Sequence, residues 1–228
     1  MTPRDFRTRL ARRAAKAGVF LPEPLPEGLA SYYELLSRWN RKINLTALDD
    51  PDESIDRLLI EPVVAARYIP TPDARLIDIG SGGGSPAIPM RLALPGLRLT
   101  MVEAKARKSA FLREAVRALS LTGTAVETAR YEELLARPEL HEAFSAVSIR
   151  AVRIEGRVLQ TLQAFLCPGG VMMLFRGPGG PESPTGVMPP LNWTSTLPLV
   201  DSLQSRLTLL TKRAVGTTYD VPRGTVRS

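Results

Sequence analysis

The 228-residue chain suits one α/β domain with an extension, and its formal net charge of +7 favours a polyanionic partner without identifying one. No run of about 18 apolar residues is present and the arginine-rich start lacks a signal-peptide core, so we expect neither a membrane span nor secretion. The single cysteine, Cys167, excludes an intramolecular disulfide and fits a reducing, cytoplasmic compartment.

The first part of the chain has the pattern of helices. In residues 27–45, EGLASYYELLSRWNRKINL, the apolar residues recur at helical spacing and predict an amphipathic helix. Residues 49–52, DDPD, predict a turn and a helix start, and the segment SIDRLLIEPVVAARYI continues that helix. We expect a helical extension over residues 1–72 and an α/β domain over residues 73–228. The arginines at the start, Arg4, Arg7 and Arg9, are expected to lack order until a nucleic acid binds.

From residue 75 onward, strand patterns and helix patterns alternate. The strand segments read RLIDIG, RLTMVEA, TAVETAR, FSAVSIR and GGVMMLFRG, and the helices between them include KARKSAFLREAVRALSL and IEGRVLQTLQAFL. This alternation predicts a Rossmann-like α/β fold, a doubly wound parallel sheet with helices on both faces. Residues 177–192 are rich in Gly and Pro and predict a loop, whereas SRLTLLTKRAV predicts a further strand.

A cluster of glycines directly follows the first strand, in LIDIGSGGGSPAIP. Such a turn lets a ligand approach the backbone at the carboxyl edge of the sheet, where ligands of this fold bind. Glu103 ends the second strand, where an acidic side chain accepts hydrogen bonds from a ribose. Both dinucleotides and S-adenosylmethionine carry such a ribose, so these two features leave two cofactor classes open.

The residues after the glycines favour S-adenosylmethionine. The dinucleotide fingerprint requires a third glycine where this chain has Ser85, and Pro86 and Pro89 remove N–H donors from the following helix start. A helix start without these donors is a poor cradle for a pyrophosphate, and S-adenosylmethionine has no phosphate.

Six segments in order carry a family resemblance: RWNRKINLTAL, LIDIGSGGGSPAIPM, EAKARKSAFLREAVRALSL, ARYEEL, IRAV and LFRG. Over residues 32–177 the chain resembles the bacterial small-subunit (16S) ribosomal RNA guanine-N7 methyltransferases, also called the glucose-inhibited division protein B family. The resemblance implies a class I S-adenosylmethionine-dependent methyltransferase fold with an N-terminal helical cap. It implies ribosomal RNA or the small ribosomal subunit as the partner, and we expect a monomer without a metal.

The resemblance also implies site residues. The expected donor-binding residues are Gly80, Gly82, Ser85, Glu103, Tyr131, Glu132 and Arg150. Among them, Glu103 would hold the ribose, and Tyr131 and Glu132 would flank the adenine. The candidate catalytic residues are Arg150 and Arg130. Arg150 would lie at the mouth of the site shared by donor and substrate, and Arg130 would contact RNA or have a structural role.

Departures from the family pattern leave other functions open. They are Ser85, Ala87, Ile149, the pair Glu61 and Pro62, and the shortened C-terminal tail TYDVPRGTVRS. They affect the RNA side more than the donor side, so a methyltransferase with another RNA or small-molecule substrate remains an alternative. A non-catalytic RNA-binding or ribosome-assembly protein is a second alternative.

The residue types fit methylation of guanine N7. This nitrogen carries a lone pair and no proton, so alignment with the methyl donor is required but a general base is not. The only histidine, His141, is expected on the surface, and Cys167 is expected as a half-buried turn residue rather than a nucleophile. No Asn/Asp-Pro-Pro-aromatic tetrapeptide for amine methylation follows the fourth strand.

Basic and aromatic residues have two interpretations each. Lys105, Arg107, Lys108 and Arg113 begin one predicted helix and either contact phosphate or form its solvated face. Trp39, Tyr32 and Tyr33 either stack on bases or, as their helical spacing favours, form the core of the cap.

Overall fold

The N-terminal part of the protein is helical, as the sequence predicts. A computed structural model describes residues 2–47, 50–150, 156–179 and 186–213. Helix α1 spans Pro3–Lys16 and α2 spans Leu25–Asn40. Helix α3, Pro51–Ile55, continues through a π-helical turn, Asp56–Ile60, into α4, Glu61–Ala65. Pro62 accounts for the irregular turn, because proline has no N–H to continue the α-helical ladder.

The α/β part alternates strands and helices. Its elements are β1 Arg75–Ile79, α5 Ala87–Ala93, β2 Arg98–Val102, α6 Ala106–Ala118, β3 Thr124–Glu127, α7 Tyr131–Leu134, β4 Phe144–Arg150, α8 Gly156–Leu162, β5 Leu166–Arg176, β6 Leu191–Pro198 and β7 Arg206–Lys212. The strands form one sheet in the order β3-β2-β1-β4-β5-β7-β6. This order places the ends of β1 and β4 side by side at the centre, which is the switch point of a doubly wound sheet.

The sheet is mixed, which corrects the prediction of a parallel sheet. Strands β1 to β5 are parallel, but β7 runs antiparallel to β5 and β6 antiparallel to β7. Strand β6 begins within the predicted loop 177–192 and was not predicted. Most of its residues are at least partly exposed, and many of them are polar. Hydroxyl pairs such as that of Thr196 with Thr208 of β7, 3.0 Å apart, stand where a buried strand would have apolar contacts.

One hydrophobic cluster joins the helical segment to the sheet. It includes Leu29 and Leu36 of α2 and Leu76 and Leu99 of the sheet, all at most 1% exposed. Tyr32 and Tyr33 are buried in the same cluster, and Trp39 packs edge-on against Phe111 of α6 at a ring distance of 5.8 Å. The prediction that these aromatic residues form the core of the cap is therefore confirmed.

The N-terminal arginines lie on an ordered helix, which corrects the expectation of disorder. The capping box of Thr2 and Asp5 starts α1. Arg9 and Arg12 both pair with Asp52, at 2.7 and 2.5 Å, and Arg13 pairs with the buried Asp56. These pairs fasten α1 to α3 and to the π-helical turn.

Candidate active site

A cavity of about 620 Å³ lies at the carboxyl edge of the sheet, within the range of roughly 300–1,000 Å³ typical of small-molecule sites. Its walls are the turn after β1, the ends of β2, β4 and β5, the loop after α2, the helical turn before α4 and the segment before β7. The charged residues in the walls are Asp50, Glu53, Arg57, Glu61, Glu103, Lys108, Arg150 and Arg176. Carboxylates and cations are equally numerous among them, so the cavity itself is not a basic surface.

The glycine-rich turn forms one wall and uses backbone conformations that other residues rarely adopt. Gly82 has a φ of +53°, and a Cβ built there would meet only the Gly80 carbonyl oxygen, at 3.7 Å. Gly84 has a φ of +86°, and its Cβ would lie 2.5 Å from the Ile88 side chain in the core. Gly82 thus keeps the cavity open, whereas Gly84 lets the turn pack against α5.

Glu103 fixes the turn and borders the cavity. Its Oε2 accepts from the backbone N–H of Gly82 at 2.9 Å, and its Oε1 accepts from the N–H of Lys105 at 2.8 Å. Each carboxylate oxygen can accept more than one hydrogen bond, so both remain able to receive ribose hydroxyls. The side chain is 8% exposed and is oriented by these two bonds.

The helical segment holds the same turn from the other side. The Tyr32 hydroxyl donates to the Gly83 carbonyl oxygen at 2.6 Å, and the Tyr32 side chain is fully buried. Burial raises the pKa of Tyr32, so the hydroxyl keeps the proton that it donates. Gly83 also lies against Leu36 and Leu45, with its Cβ position 3.2 Å from Leu36 Cδ1.

Pro62 leaves one carbonyl group free at the edge of the cavity. Without an N–H at position 62, the carbonyl of Leu58 has no α-helical donor and accepts instead from the Ser85 hydroxyl at 2.9 Å. The neighbouring carbonyl of Arg57 accepts from Arg150 Nη1. The irregular turn before α4 is therefore tied both to the glycine-rich turn and to the end of β4.

Arg150 ends β4 inside the cavity wall. Its Nη2 donates to Glu61 Oε2 at 2.8 Å, and its guanidinium lies 4.5 Å from the Phe175 ring centroid. Burial lowers the pKa of Arg150, although the Glu61 carboxylate opposes this effect. Its Nε has no hydrogen-bond partner within the described residues and is buried. Arg150 is thus held in place by two groups of the helical segment, the Arg57 carbonyl and the Glu61 carboxylate.

Asp78, in the middle of β1, is a buried carboxyl that the sequence reading missed. The Ser148 hydroxyl of β4 donates to its Oδ1 at 2.5 Å, and Asp78 is 1% exposed. Burial raises its pKa, opposed by hydrogen bonds from Ser148 and Ser81. The signal was present, because a carboxylate inside the apolar run LIDI requires a buried partner. Asp78 joins β1 to β4 directly below the turn.

The cavity brings together only some of the predicted site residues. Gly80, Gly82, Ser85, Glu103 and Arg150 all line it. Tyr131, Glu132 and Arg130 lie at the start of α7 and do not line it. Within the described chain, the cavity lining contains neither the histidine nor the cysteine: His141 is exposed with Nε2 2.8 Å from the Leu135 carbonyl oxygen, and Cys167 is half-buried in β5.

The wall of the cavity fits an adenosine-bearing ligand without a phosphate. A fixed carboxylate with free acceptor capacity lies beside an open glycine backbone, and Pro86 and Pro89 stand where a pyrophosphate needs N–H donors.

Among the residues that the structure describes, no group of three metal-ligating side chains was found. No described helix is long and apolar enough to span a membrane.

The Tyr32 hydroxyl is expected to support ligand binding through the turn. Tyr32→Phe leaves the Gly83 carbonyl without its donor and should weaken binding of S-adenosylmethionine about tenfold, with a stability loss of about 1–3 kcal/mol. Calorimetric titration well below the melting temperature measures the affinity. Tyr33→Phe, which removes the neighbouring hydroxyl of α2 and leaves the bond to Gly83 intact, is the control and should bind normally. Equal affinities of the two variants would contradict this role.

Comparison with known proteins gives a family. Residues 26–181 match the family model GidB, described as rRNA small subunit methyltransferase G. The chain is 35% identical over 161 residues to a protein of Stenotrophomonas maltophilia named ribosomal RNA small subunit methyltransferase G, covering 71% of this chain and 73% of that one.

Solved structures with low sequence identity share the fold. A Klebsiella pneumoniae structure described as an O-methyltransferase superposes with a TM-score of 0.61 at 17% identity, over 90% of this chain and 97% of that one. A SAM-dependent methyltransferase from Aquifex aeolicus superposes with a TM-score of 0.52 at 14% identity, over 78% of this chain and 98% of that one. The predicted methyltransferase fold is confirmed by these likenesses.

Proposed function

Because the chain belongs to the GidB family of small-subunit ribosomal RNA methyltransferases, we propose that it transfers a methyl group from S-adenosylmethionine to N7 of a guanine in small-subunit ribosomal RNA. The observation that carries the proposal is the wall formed by the glycine-rich turn and Glu103 at the carboxyl edge of the sheet. Family membership makes the chain a methyltransferase, and the proposal adds the position of the donor and the atom that is methylated.

The donor would lie against the glycine-rich turn. S-adenosylmethionine supplies a methyl group on a sulfonium, which needs no activation by the protein. Glu103 would accept hydrogen bonds from the ribose hydroxyls, and the backbone at Gly80 and Gly82 would contact the rest of the donor. Tyr131 and Glu132 follow β3, next to β2 in the sheet, and we keep them as proposed neighbours of the adenine outside the cavity.

The acceptor base would enter from the side of β4 and β5. Arg150 at the end of β4 and Phe175 near the end of β5 line the cavity there and would contact the base. Guanine N7 attacks with its own lone pair, so the protein must align the two reactants and exclude water. A cavity lining without histidine or cysteine, within the described chain, is compatible with this reaction. Arg130 is proposed as an RNA contact rather than as part of the cavity.

The helical segment would belong to the catalytic unit. We propose residues 1–72 as an N-terminal extension and residues 73–228 as the methyltransferase domain. Tyr32, Leu36 and Leu45 of the extension contact the glycine-rich turn, so this extension would contribute to the donor site.

Methyl transfer to RNA tests the proposal. The full chain with tritiated S-adenosylmethionine should label small-subunit ribosomal RNA, supplied bare or in subunits, and mass mapping should place the label at N7 of a single guanine. Label at another atom or nucleotide would contradict the N7 assignment. Donor binding without transfer to either RNA form would favour the small-molecule alternative, and no donor binding at all would favour the non-catalytic RNA-binding protein.

A further inference from the structure

Several basic side chains of α1, α2 and α6 already have partners within the protein. Arg9, Arg12 and Arg13 of α1 are neutralised by aspartates, as described above. Arg38 of α2 pairs with Glu114 of α6 at 3.3 Å, and Arg113 donates to the Thr128 hydroxyl at 2.5 Å. A polyanion would have to compete with these partners, so these five arginines are poor candidates for RNA contact.

A second group of basic residues is unpaired. Its members are Arg41 and Lys42, which directly follow α2, and Lys105, Arg107 and Lys108 at the start of α6; we call them the basic strip. Four of the five are exposed and Lys108 is half-buried. None of the five side chains forms an ion pair or hydrogen bond with the part of the chain that the structure describes.

Both segments of the basic strip lie close to the cavity in the chain. The end of α2 lies against α6, because Arg38 pairs with Glu114 and Trp39 packs against Phe111. In the first turn of α6, Lys108 itself lines the cavity. On the other segment, Leu45 and Thr46 line the cavity and follow Lys42 by three and four residues. Each segment therefore contains a residue of the cavity lining or leads directly to one.

The charges at the start of α6 are unfavourable for the isolated helix. The N-terminal end of a helix dipole is positive and favours acidic side chains, yet the first turn of α6 contains no acidic residue. The only nearby carboxylate bound to this turn is Glu103, which accepts from the Lys105 N–H. An anion bound from outside would neutralise the repulsion between these cations and the positive end of the helix dipole.

We propose that the basic strip binds the phosphate backbone of the RNA strand next to the nucleotide that enters the cavity. The proposal rests on RNA being the substrate, as proposed above. Cations at and beside the cavity would position the strand, and displacement of counterions from the RNA would drive binding. The base identity would be read inside the cavity, because contacts to phosphate carry no sequence information.

Salt dependence of RNA binding tests the basic strip. The probe is a fluorescein-labelled transcript of small-subunit ribosomal RNA, titrated with the full chain over a potassium chloride series. Arg41→Gln/Lys42→Gln and, separately, Lys105→Gln/Arg107→Gln each remove two charges. Each variant should make the negative slope of log K against log salt shallower by about 1.5. Each should also weaken RNA binding at 0.1 M salt on the order of tenfold.

The matched control removes two charges elsewhere. Arg98 begins β2 at the opposite edge of the sheet and Arg117 lies near the end of α6, and both are exposed. Arg98→Gln/Arg117→Gln should keep the wild-type slope. A strip variant with the wild-type slope, or one that loses no more affinity than the control, would overturn the proposal. A protein that binds the transcript through the strip without methylating it would refute the proposed function and leave the strip intact.

Discussion

Gly82→Val is expected to lower the affinity for S-adenosylmethionine more than about 100-fold, which in practice abolishes binding, while the protein stays folded. A Cβ at this position meets nothing closer than 3.7 Å, so the valine methyl groups would extend into the cavity. The positive φ of +53° adds a strain of about 1–3 kcal/mol, which lowers stability without closing the site. Calorimetric titration with the donor measures the loss, and a thermal melt measures the strain.

Gly123→Val separates strain from obstruction. Gly123 has a φ of +66° with open space around its Cβ position and lies before β3, away from the cavity lining. Its variant should show a similar stability loss but bind the donor normally. Normal donor binding by Gly82→Val would exclude the glycine-rich turn as the donor site.

Glu103→Gln is expected to weaken donor binding by about 1–3 kcal/mol, or roughly 5-fold to 150-fold. The carboxylate accepts from two backbone N–H groups, one on each oxygen. An amide presents one acceptor oxygen and one NH₂, so one N–H would face another donor and the turn would lose its fixed position. The charged acceptor for the ribose would be lost as well. Calorimetry with S-adenosylmethionine gives the affinity.

Glu127→Gln is the matched control for Glu103. Glu127 ends β3, the neighbouring strand, and pairs with Arg137 at 3.2 Å instead of lining the cavity. This variant should bind the donor with the wild-type affinity. Unchanged affinity of Glu103→Gln would refute the ribose role and leave Glu103 as a structural partner of the turn.

The parallel part of the sheet was predictable because its strands are short apolar runs, and clear helix patterns follow the second and the fourth of them. Strand β6 was not predictable in the same way. It starts within a Gly- and Pro-rich segment, and its residues alternate only weakly between apolar and polar. Its position depends on pairing with β7, a contact that local sequence does not encode.

The wall of the cavity formed by the glycines and Glu103 was predictable from local sequence, whereas the contacts that support it were not. The glycines and Glu103 are recognisable from their places after β1 and β2. The Tyr32 hydroxyl reaches Gly83, 51 residues away, and helical spacing accounts for the burial of Tyr32 without indicating this bond. A proline in a helix pattern does predict a free carbonyl four residues earlier, but nothing local identifies Ser85 as its donor. The roles of Tyr131 and Glu132 came from family resemblance alone and stay predictions.

The hydrogen bonds around Pro62 limit how far the chain can be shortened from its amino terminus. The Leu58 carbonyl that Pro62 frees holds Ser85, and the neighbouring Arg57 carbonyl holds Arg150. Tyr32 holds Gly83 of the glycine-rich turn from the opposite side. A fragment that begins at residue 73 would keep every strand but would leave three of its own polar groups without their partners. We therefore expect a chain shortened in this way to bind the small methyl donor more weakly than the full-length protein does.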